Sequence, residues 1–369
     1  MRGTKKIAIS GYYGTHNAGD ELICASLTMM IRHYIPDASI TVFSADPRRT
    51  SSMYNVASVQ RKNPFAILGA LRTTDMLVTG GGGIFQDVTS SLSLYYYLLV
   101  ICCARLLGKI TVIYAVDVSP ELKSLNRRLV VWICSRTHMV SVRTEQSRAL
   151  LAESGMPKER LHRVCDPVFL CNEFPAIHSE QTASSRKKII WVIREYPRRF
   201  ADTRSTLMDA LSNTCRLWAQ KPVDQILIPF HAVEDGRLAE DLEKQSNGCL
   251  SLCTWESIHS VVAEVVSAHV VISSRLHGLI LACALGKPCV GIIPDARVDG
   301  GKMKQISREN TAGIFIEDRD IEPQKLYEVI DTLLNEDQSR YRQSRDQYIR
   351  SAKTGCEQFW NATAQLLNR

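Results

Sequence analysis

Arg275 and His277 stand two residues apart within Val270 to Gly291, VVISSRLHGLILACALGKPCVG. A guanidinium is a permanent cation that grips carboxylates and phosphates through paired N–H groups. An imidazole gives and takes protons near neutral pH. The flanking residues supply a setting for both. Val270 to Ile272 is a short apolar, strand-like run, Ser273 and Ser274 are candidate helix caps, and Leu276 to Leu285 is an apolar helical run ending at Gly286 and Pro288. Arg275 and His277 therefore fall at a strand-to-helix turn, where the first-turn N–H groups and the helix dipole favour an anion. Ser274 and Gly278 complete the turn. The same residue types also suit a capped helix with a solvated arginine and a packed histidine.

Further polar candidates follow glycine-rich stretches. Lys6 to Gly11 (KIAISG) reads as a strand, Tyr12 to Glu21 (YYGTHNAGDE) as a loop and Leu22 to Tyr34 as an apolar-periodic helix. Strand, glycine-rich loop and helix is the phosphate-binding order of doubly wound folds, although the spacing here is not GxGxxG. Gly14, Asn17 and Asp20 are the candidates in this loop, and Asn17 equally suits a local backbone cap. Asp75 to Thr79 (DMLVT) reads as a strand running into Gly80 to Gly83 and then IFQD. Each glycine adds to the entropy lost on folding, so the run needs a reason. A ligand approaching Gly81 and Gly82, with Gln86 beside it, is the expected one; a tight helix-strand contact is the other.

Strands and helices must alternate to position these residues. Ser39 to Ser44, Ile110 to Ala115 and Met139 to Val142 continue the strand series, so that Asp117 and Arg143 also follow strands. Such alternation predicts a parallel sheet covered on both faces, with ligands at the carboxyl ends of the strands. The polar stretch Asn172 to Lys188 marks a linker. A second series then places Arg194 after Lys188 to Ile193, His231 after Gln225 to Pro229, the Arg275 turn after Val270 to Ile272, and Asp295 to Arg297 after Pro288 to Ile293. The expectation is an α/β chain of two doubly wound, Rossmann-like domains, residues 1–175 and 186–369, facing each other across a cleft in a GT-B-like architecture. The charged terminal helix, Ser351 to Leu367, is expected to pack back on the first domain.

Composition agrees with two globular domains: the 369 residues exceed the usual single-domain size, and 45% hydrophobic with 22% charged residues excludes a disordered chain. The net charge of +7 is spread without a polybasic tail, which argues against nucleic acid and for anionic substrates or an anionic membrane surface. The 12 cysteines are scattered, several inside apolar runs, with no CxxC pair. Free thiols in a reducing compartment and no metal site are expected. The N-terminus MRGTKKIAISGYYG carries no hydrophobic signal segment, so the expected location is cytoplasmic. Leu92 to Ala104 (LSLYYYLLVICCA) is the most apolar run but stops at Arg105, too short for a bilayer span and suited to a buried helix or an interfacial contact.

The ordered motifs GYYGTHNAGDE (Gly11 to Glu21), TGGGGIFQD (Thr79 to Asp87), SVRTEQS (Ser141 to Ser147), DPVF (Asp166 to Phe169) and SSRLHGLILACALGKPCVGI (Ser273 to Ile292) resemble the polysaccharide pyruvyl transferases. The resemblance runs from the first strand to about residue 300. It implies a GT-B-like fold and transfer of a pyruvyl group from phosphoenolpyruvate to a sugar of a cell-surface or cell-wall polysaccharide precursor, giving a cyclic ketal. No metal or cofactor besides the donor is implied. The first domain takes the acceptor side and the second the phosphoenolpyruvate side. Ile293, Pro294, Asp295, Ala296 and Arg297 stand where many members carry Tyr-Asp-Pro-Lys, a departure on the acceptor side.

Phosphoenolpyruvate presents a carboxylate and a phosphate near one carbon, which calls for several arginines; Arg143, Arg194 and Arg275 are the candidates. His277 is the expected general acid for the methylene carbon or the departing phosphate. His231, Asp20, Asp87 and Asp166 remain alternatives for the base that takes the sugar proton, while Gln86, Asn17 and the loop amides are expected at sugar hydroxyls or acceptor phosphates. An acceptor assembled on a lipid carrier brings transient contact with the inner membrane face, with Leu92 to Tyr97 as one contact region. Two competing readings share the same cleft and loops: a GT-B glycosyltransferase with a nucleotide-sugar donor, and a non-catalytic binding module for phosphorylated metabolites.

Overall fold

The computed structural model of the chain describes residues 4–88, 90–173, 186–294, 303 and 313–368. The chain divides into two units. One comprises the residues up to Thr15, Asp20–Leu170 and those from Arg350 onward; the other comprises His16–Gly19 and Cys171–Ile349.

The first unit is built on seven strands: β1 (Lys5–Tyr13), β2 (Ala38–Ser44), β3 (Ala57–Gln60), β4 (Met76–Phe85), β5 (Ile110–Val118), β6 (Met139–Val142) and β7 (Leu161–Arg163). They form one sheet in the order β3, β2, β1, β4, β5, β6, β7, and every pairing is parallel. Parallel strands are covered on both faces, which is why Ile7, Ala8 and Ile9 are all buried in succession. The second unit has six strands: β8 (Lys187–Val192), β9 (Val223–Leu227), β10 (Ser251–Leu252), β11 (Val270–Ser273), β12 (Cys289–Ile293) and β13 (Ile314–Glu317). Their order, β10, β9, β8, β11, β12, β13, is again wholly parallel. In each sheet the strand order reverses beside the first strand, the topological switch point of a Rossmann-like fold, where ligands gather at the carboxyl ends.

The last helix, Ser339–Leu366, contributes Cys356, Phe359 and Trp360, all fully buried, to the core of the first unit. Tyr114 of β5 meets the rings of Phe359 and Trp360 at 5.4 and 5.0 Å, and Cys165 Sγ lies 3.5 Å from Cys356 Sγ. Both cysteines are free thiols. Among the described residues no helix is long and apolar enough to cross a membrane.

The glycine run departs from expectation. Gly80 to Gly83 form no loop after a strand; they lie inside β4, where Gly80 pairs with Tyr114 and Gly82 with Val116. A Cβ on Gly80 would sit 2.6 Å from the Tyr114 carbonyl oxygen, and one on Gly81 would sit 1.9 Å from Ile23 Cγ2 in the helix Ala18–Tyr34. Protein atoms fill the space beside Gly80 and Gly81. Gly81 also has φ of +77°, which favours glycine. Gly81→Ala is expected to cost about 2–5 kcal/mol, combining left-handed strain with overpacking. In urea denaturation, adding Ile23→Ala to Gly81→Ala should recover the packing part alone; no recovery would mean that Ile23 is not the obstacle.

Candidate functional site

In the second unit the turn after β11 is tied to its neighbours through serine hydroxyls. The Ser274 N–H donates to the Val192 carbonyl at 2.9 Å, and the Ser274 hydroxyl accepts the Arg194 N–H at 2.9 Å. The Ser273 hydroxyl accepts the Arg275 N–H at 3.0 Å and donates to the Arg275 carbonyl at 2.7 Å. Neither serine is the helix cap that was expected. Arg275 itself occupies the N-cap of the helix Leu276–Ala284, and its side chain makes no capping hydrogen bond to the first turn. Gly278 is demanded by packing, since a Cβ there would lie 2.3 Å from Ser273 Oγ.

Asp235 holds the site together. Its buried carboxylate accepts Arg275 Nε at 3.0 Å and Nη2 at 2.5 Å, the Glu195 N–H at 2.9 Å and the His231 N–H at 2.9 Å. It thereby connects residues following β8, β9 and β11. Glu234 adds a contact to Arg275 Nη2 at 3.3 Å. Arg275 Nη1 has no hydrogen-bond partner among the described residues and forms the open edge of a guanidinium whose side chain is 14% exposed. Burial alone would lower the Arg275 pKa, but the Asp235 carboxylate, followed by Glu234, raises it above its ordinary value. The cation is fixed in place and in charge.

His16–Gly19 contribute the neighbouring wall. Asn17 forms an antiparallel bridge with His231, the Ala18 N–H donates to the Phe230 carbonyl at 2.6 Å, and the Ala232 N–H to the His16 carbonyl at 3.1 Å. The Asn17 amide oxygen accepts the Gly19 N–H at 3.0 Å, the local cap that its residue type allows. Gly19 packs on His277: a Cβ there would come within 2.5 Å of His277 Nδ1. His277 is therefore set against backbone on a half-buried helix turn. The Nδ1 atom of His231 accepts the Glu234 N–H at 3.1 Å, which leaves the proton of the neutral ring on Nε2 and makes that atom a donor. Burial lowers the His231 pKa below its ordinary value; Glu234 opposes this and Arg275 reinforces it.

The first unit treats its candidates differently. Arg143 directs Nε and Nη2 at Asp117 Oδ2, 2.7 and 2.5 Å away, and Nη1 at Asp166. All three nitrogens face carboxylates, so a substrate anion expected at Arg143 would compete there with Asp117 and Asp166. Asp166 is bound by the same pair and by the Val168 N–H at 3.0 Å, and Asp87 accepts Asn126 Nδ2 at 2.6 Å and the Lys123 N–H at 3.2 Å. Both hold neighbouring backbone or side chains in place. Gly14, at φ +72° with a would-be Cβ 2.0 Å from Ser44 Oγ, donates its N–H to buried Glu21 at 2.8 Å and so serves the turn. Gln86 accepts the Val88 N–H at 2.9 Å. Gly82 is more open, its would-be Cβ 3.7 Å from Asp20 Oδ1. Asp295 to Arg297 lie outside the described residues.

The model of the family described as polysaccharide pyruvyl transferase matches residues 17–295, most of the chain. The chain belongs to the polysaccharide pyruvyl transferase family. This pyruvyl transferase matches no curated protein in sequence. Its fold is similar to the UDP-GlcNAc 2-epimerase of Methanocaldococcus jannaschii, at TM-score 0.61 and 13% identity over 90% of this chain and 93% of that one. The UDP-GlcNAc 2-epimerase of Neisseria meningitidis bound to UDP-GlcNAc gives 0.61 and 11% over 92% and 94%. Anabaena Alr3699/HepE in complex with UDP gives 0.57 and 14% over 99% of both chains. At such identities the likeness establishes the fold alone: two Rossmann-like α/β units of the GT-B class.

Asp235 and Glu234 escaped sequence reasoning because an aspartate just before a helix reads as an ordinary cap. The signal available was His231 four residues upstream, at a strand end. Asp235→Ala and Arg275→Ala are each expected to cost the pyruvyl transferase on the order of 3–5 kcal/mol, because each leaves the other charge buried without its partner. The double variant should lose far less than the sum in urea denaturation, and additive losses would refute the coupling. Because the folded-state pKa of His231 is depressed, its contribution is fully present above the unfolded value near 6.5 and falls as the pH drops below it. His231→Gln should flatten that part of the stability-pH profile.

Proposed function

We propose that this pyruvyl transferase takes its pyruvyl group from phosphoenolpyruvate and places it on a sugar of a lipid-linked cell-surface polysaccharide precursor, forming a cyclic ketal and releasing phosphate. The observation that carries the reading is the Arg275 turn: a guanidinium locked by Asp235, with Nη1 open beside an uncapped helix start and His277 two residues on.

Donor anions suit that turn. Arg275 Nη1 and the first-turn amides bind the carboxylate or phosphate, and the Asp235 clamp means that no arginine entropy is spent on binding. His231, with its proton on Nε2, adds a donor for the same oxygens. The chemistry needs a proton on the methylene carbon as a sugar hydroxyl bonds to the neighbouring carbon, then loss of phosphate and attack by a second hydroxyl. His277 supplies the first proton and, once neutral, accepts one from a hydroxyl, so the imidazole returns to its starting state, while the proton of the other hydroxyl leaves with the released phosphate. Arg194, whose backbone N–H is joined to the turn through Ser274, offers a further guanidinium for the donor anions. The acceptor sugar belongs at the carboxyl ends of the first unit's strands, near Asp20 and Gly82.

Thermal denaturation tests the donor. Phosphoenolpyruvate should raise Tm with increasing concentration. His277→Ala should keep that shift while losing phosphate release by about 10²–10⁴-fold. Stabilisation by UDP-GlcNAc and none by phosphoenolpyruvate would replace this reading with a nucleotide-sugar donor.

A further inference from the structure

The first unit holds a cavity of about 810 Å³ that the site above does not use. Its volume lies within the range of roughly 300–1,000 Å³ typical of small-molecule sites. One wall is the helix Pro64–Thr73, which presents Ile67, Leu68 and Leu71; the other is the helix Ser91–Leu106, which presents Tyr96, Leu99 and Cys103. These spacings place each set on one helical face. On the second helix the lining runs from Leu92 to Cys103, about 16 Å at the helical rise. Leu92 and Leu99 remain 78% and 64% exposed, so the apolar trough opens to the surrounding medium.

One end of the trough is cationic. Arg61 and Lys62 follow β3, next to Tyr12 near the end of β1 and Ala45 after β2, so this end coincides with the carboxyl edge of the sheet. The Arg61 guanidinium lies 5.1, 4.9 and 5.6 Å from the ring centres of Tyr12, Tyr96 and Tyr97, and donates to the Tyr97 hydroxyl at 3.1 Å. Three aromatic rings hold the cation without neutralising it. Among the described residues neither Arg61 nor Lys62 has a carboxylate partner.

An apolar trough with an uncompensated pair of cations at its functional end is complementary to one kind of molecule. We propose that it binds a long-chain lipid phosphate, hydrocarbon between the two helices and phosphate at Arg61 and Lys62. Assigning this lipid as the carrier of the acceptor sugar rests on the function proposed above. The trough would then deliver the sugar to the strand ends while the chain stays sheltered.

Isothermal titration calorimetry of the full chain with alkyl phosphates below their micelle-forming concentrations tests this. Dodecyl phosphate should bind, with affinity falling about fourfold for each methylene removed. Dodecyl maltoside, which lacks the anion, should bind about tenfold more weakly or worse. Leu99→Asp, at an exposed position that tolerates change, should weaken dodecyl phosphate by about tenfold or more, and Lys62→Glu should weaken it several-fold. Both variants should keep the phosphoenolpyruvate-induced Tm shift. Equal affinity for maltoside and phosphate, or unchanged binding by Leu99→Asp, overturns the site even if that shift persists. Dodecyl phosphate binding with no phosphoenolpyruvate shift supports the trough while overturning the donor reading.

Discussion

A single carboxylate sets the geometry of the second unit's functional edge. Asp235 gathers four N–H groups from chain segments that follow three strands, and its charge is matched by a guanidinium that cannot lose its proton. A buried ion pair of this kind contributes little net stability against an apolar alternative, yet removing either half is costly. Its value lies in orientation. Two guanidinium nitrogens spent on Asp235 fix the direction of the third, and the same carboxylate holds His231 through its backbone. The turn at Arg275 and the backbone of His231 are thereby held in one fixed arrangement, pre-organised before any ligand arrives.

The contrast between the two arginines shows how charge counting decides role. Arg143 turns all three guanidinium nitrogens toward two carboxylates, whereas Arg275 meets one fully buried carboxylate, a second at its exposed rim, and has Nη1 turned to neither. Both residues follow strands in similar sequence settings. Only the three-dimensional arrangement separates a guanidinium spent on two carboxylates from one with a nitrogen to spare.

The fold was legible because parallel strands buried on both faces leave continuous apolar runs such as VVIS and CVGII, and because polar residues cluster where those runs stop. The turn at Arg275 was legible for the same reason. Asp235 was not, since its meaning depends on Arg275, 40 residues later, and on Glu195, 40 residues earlier. The glycine run misled in the opposite direction. Its spacing resembles a ligand loop, but its cause is Ile23 and Tyr114, residues that no local window contains. Ser273 and Ser274 read as caps from their types alone, yet the hydroxyls were claimed by backbone groups of Arg275 and of Arg194 in another segment. In each case the local pattern was sound and a distant partner outcompeted it.

The path of the chain through its two units bears on its synthesis. Residues 16–19 belong to the second unit, while the helix bearing Cys356, Phe359 and Trp360 completes the core of the first. Tyr114 and Cys356 are 242 positions apart in sequence. As the chain emerges from the ribosome, the first unit must wait, with the face that Trp360 will cover still open, until the helix bearing Trp360 has followed it. Its second unit likewise includes a tetrapeptide, residues 16–19, made well before the rest of it. Neither half can be a finished module ahead of the other, so the two mature cooperatively, and apolar surface of the first needs protection while the second is being made.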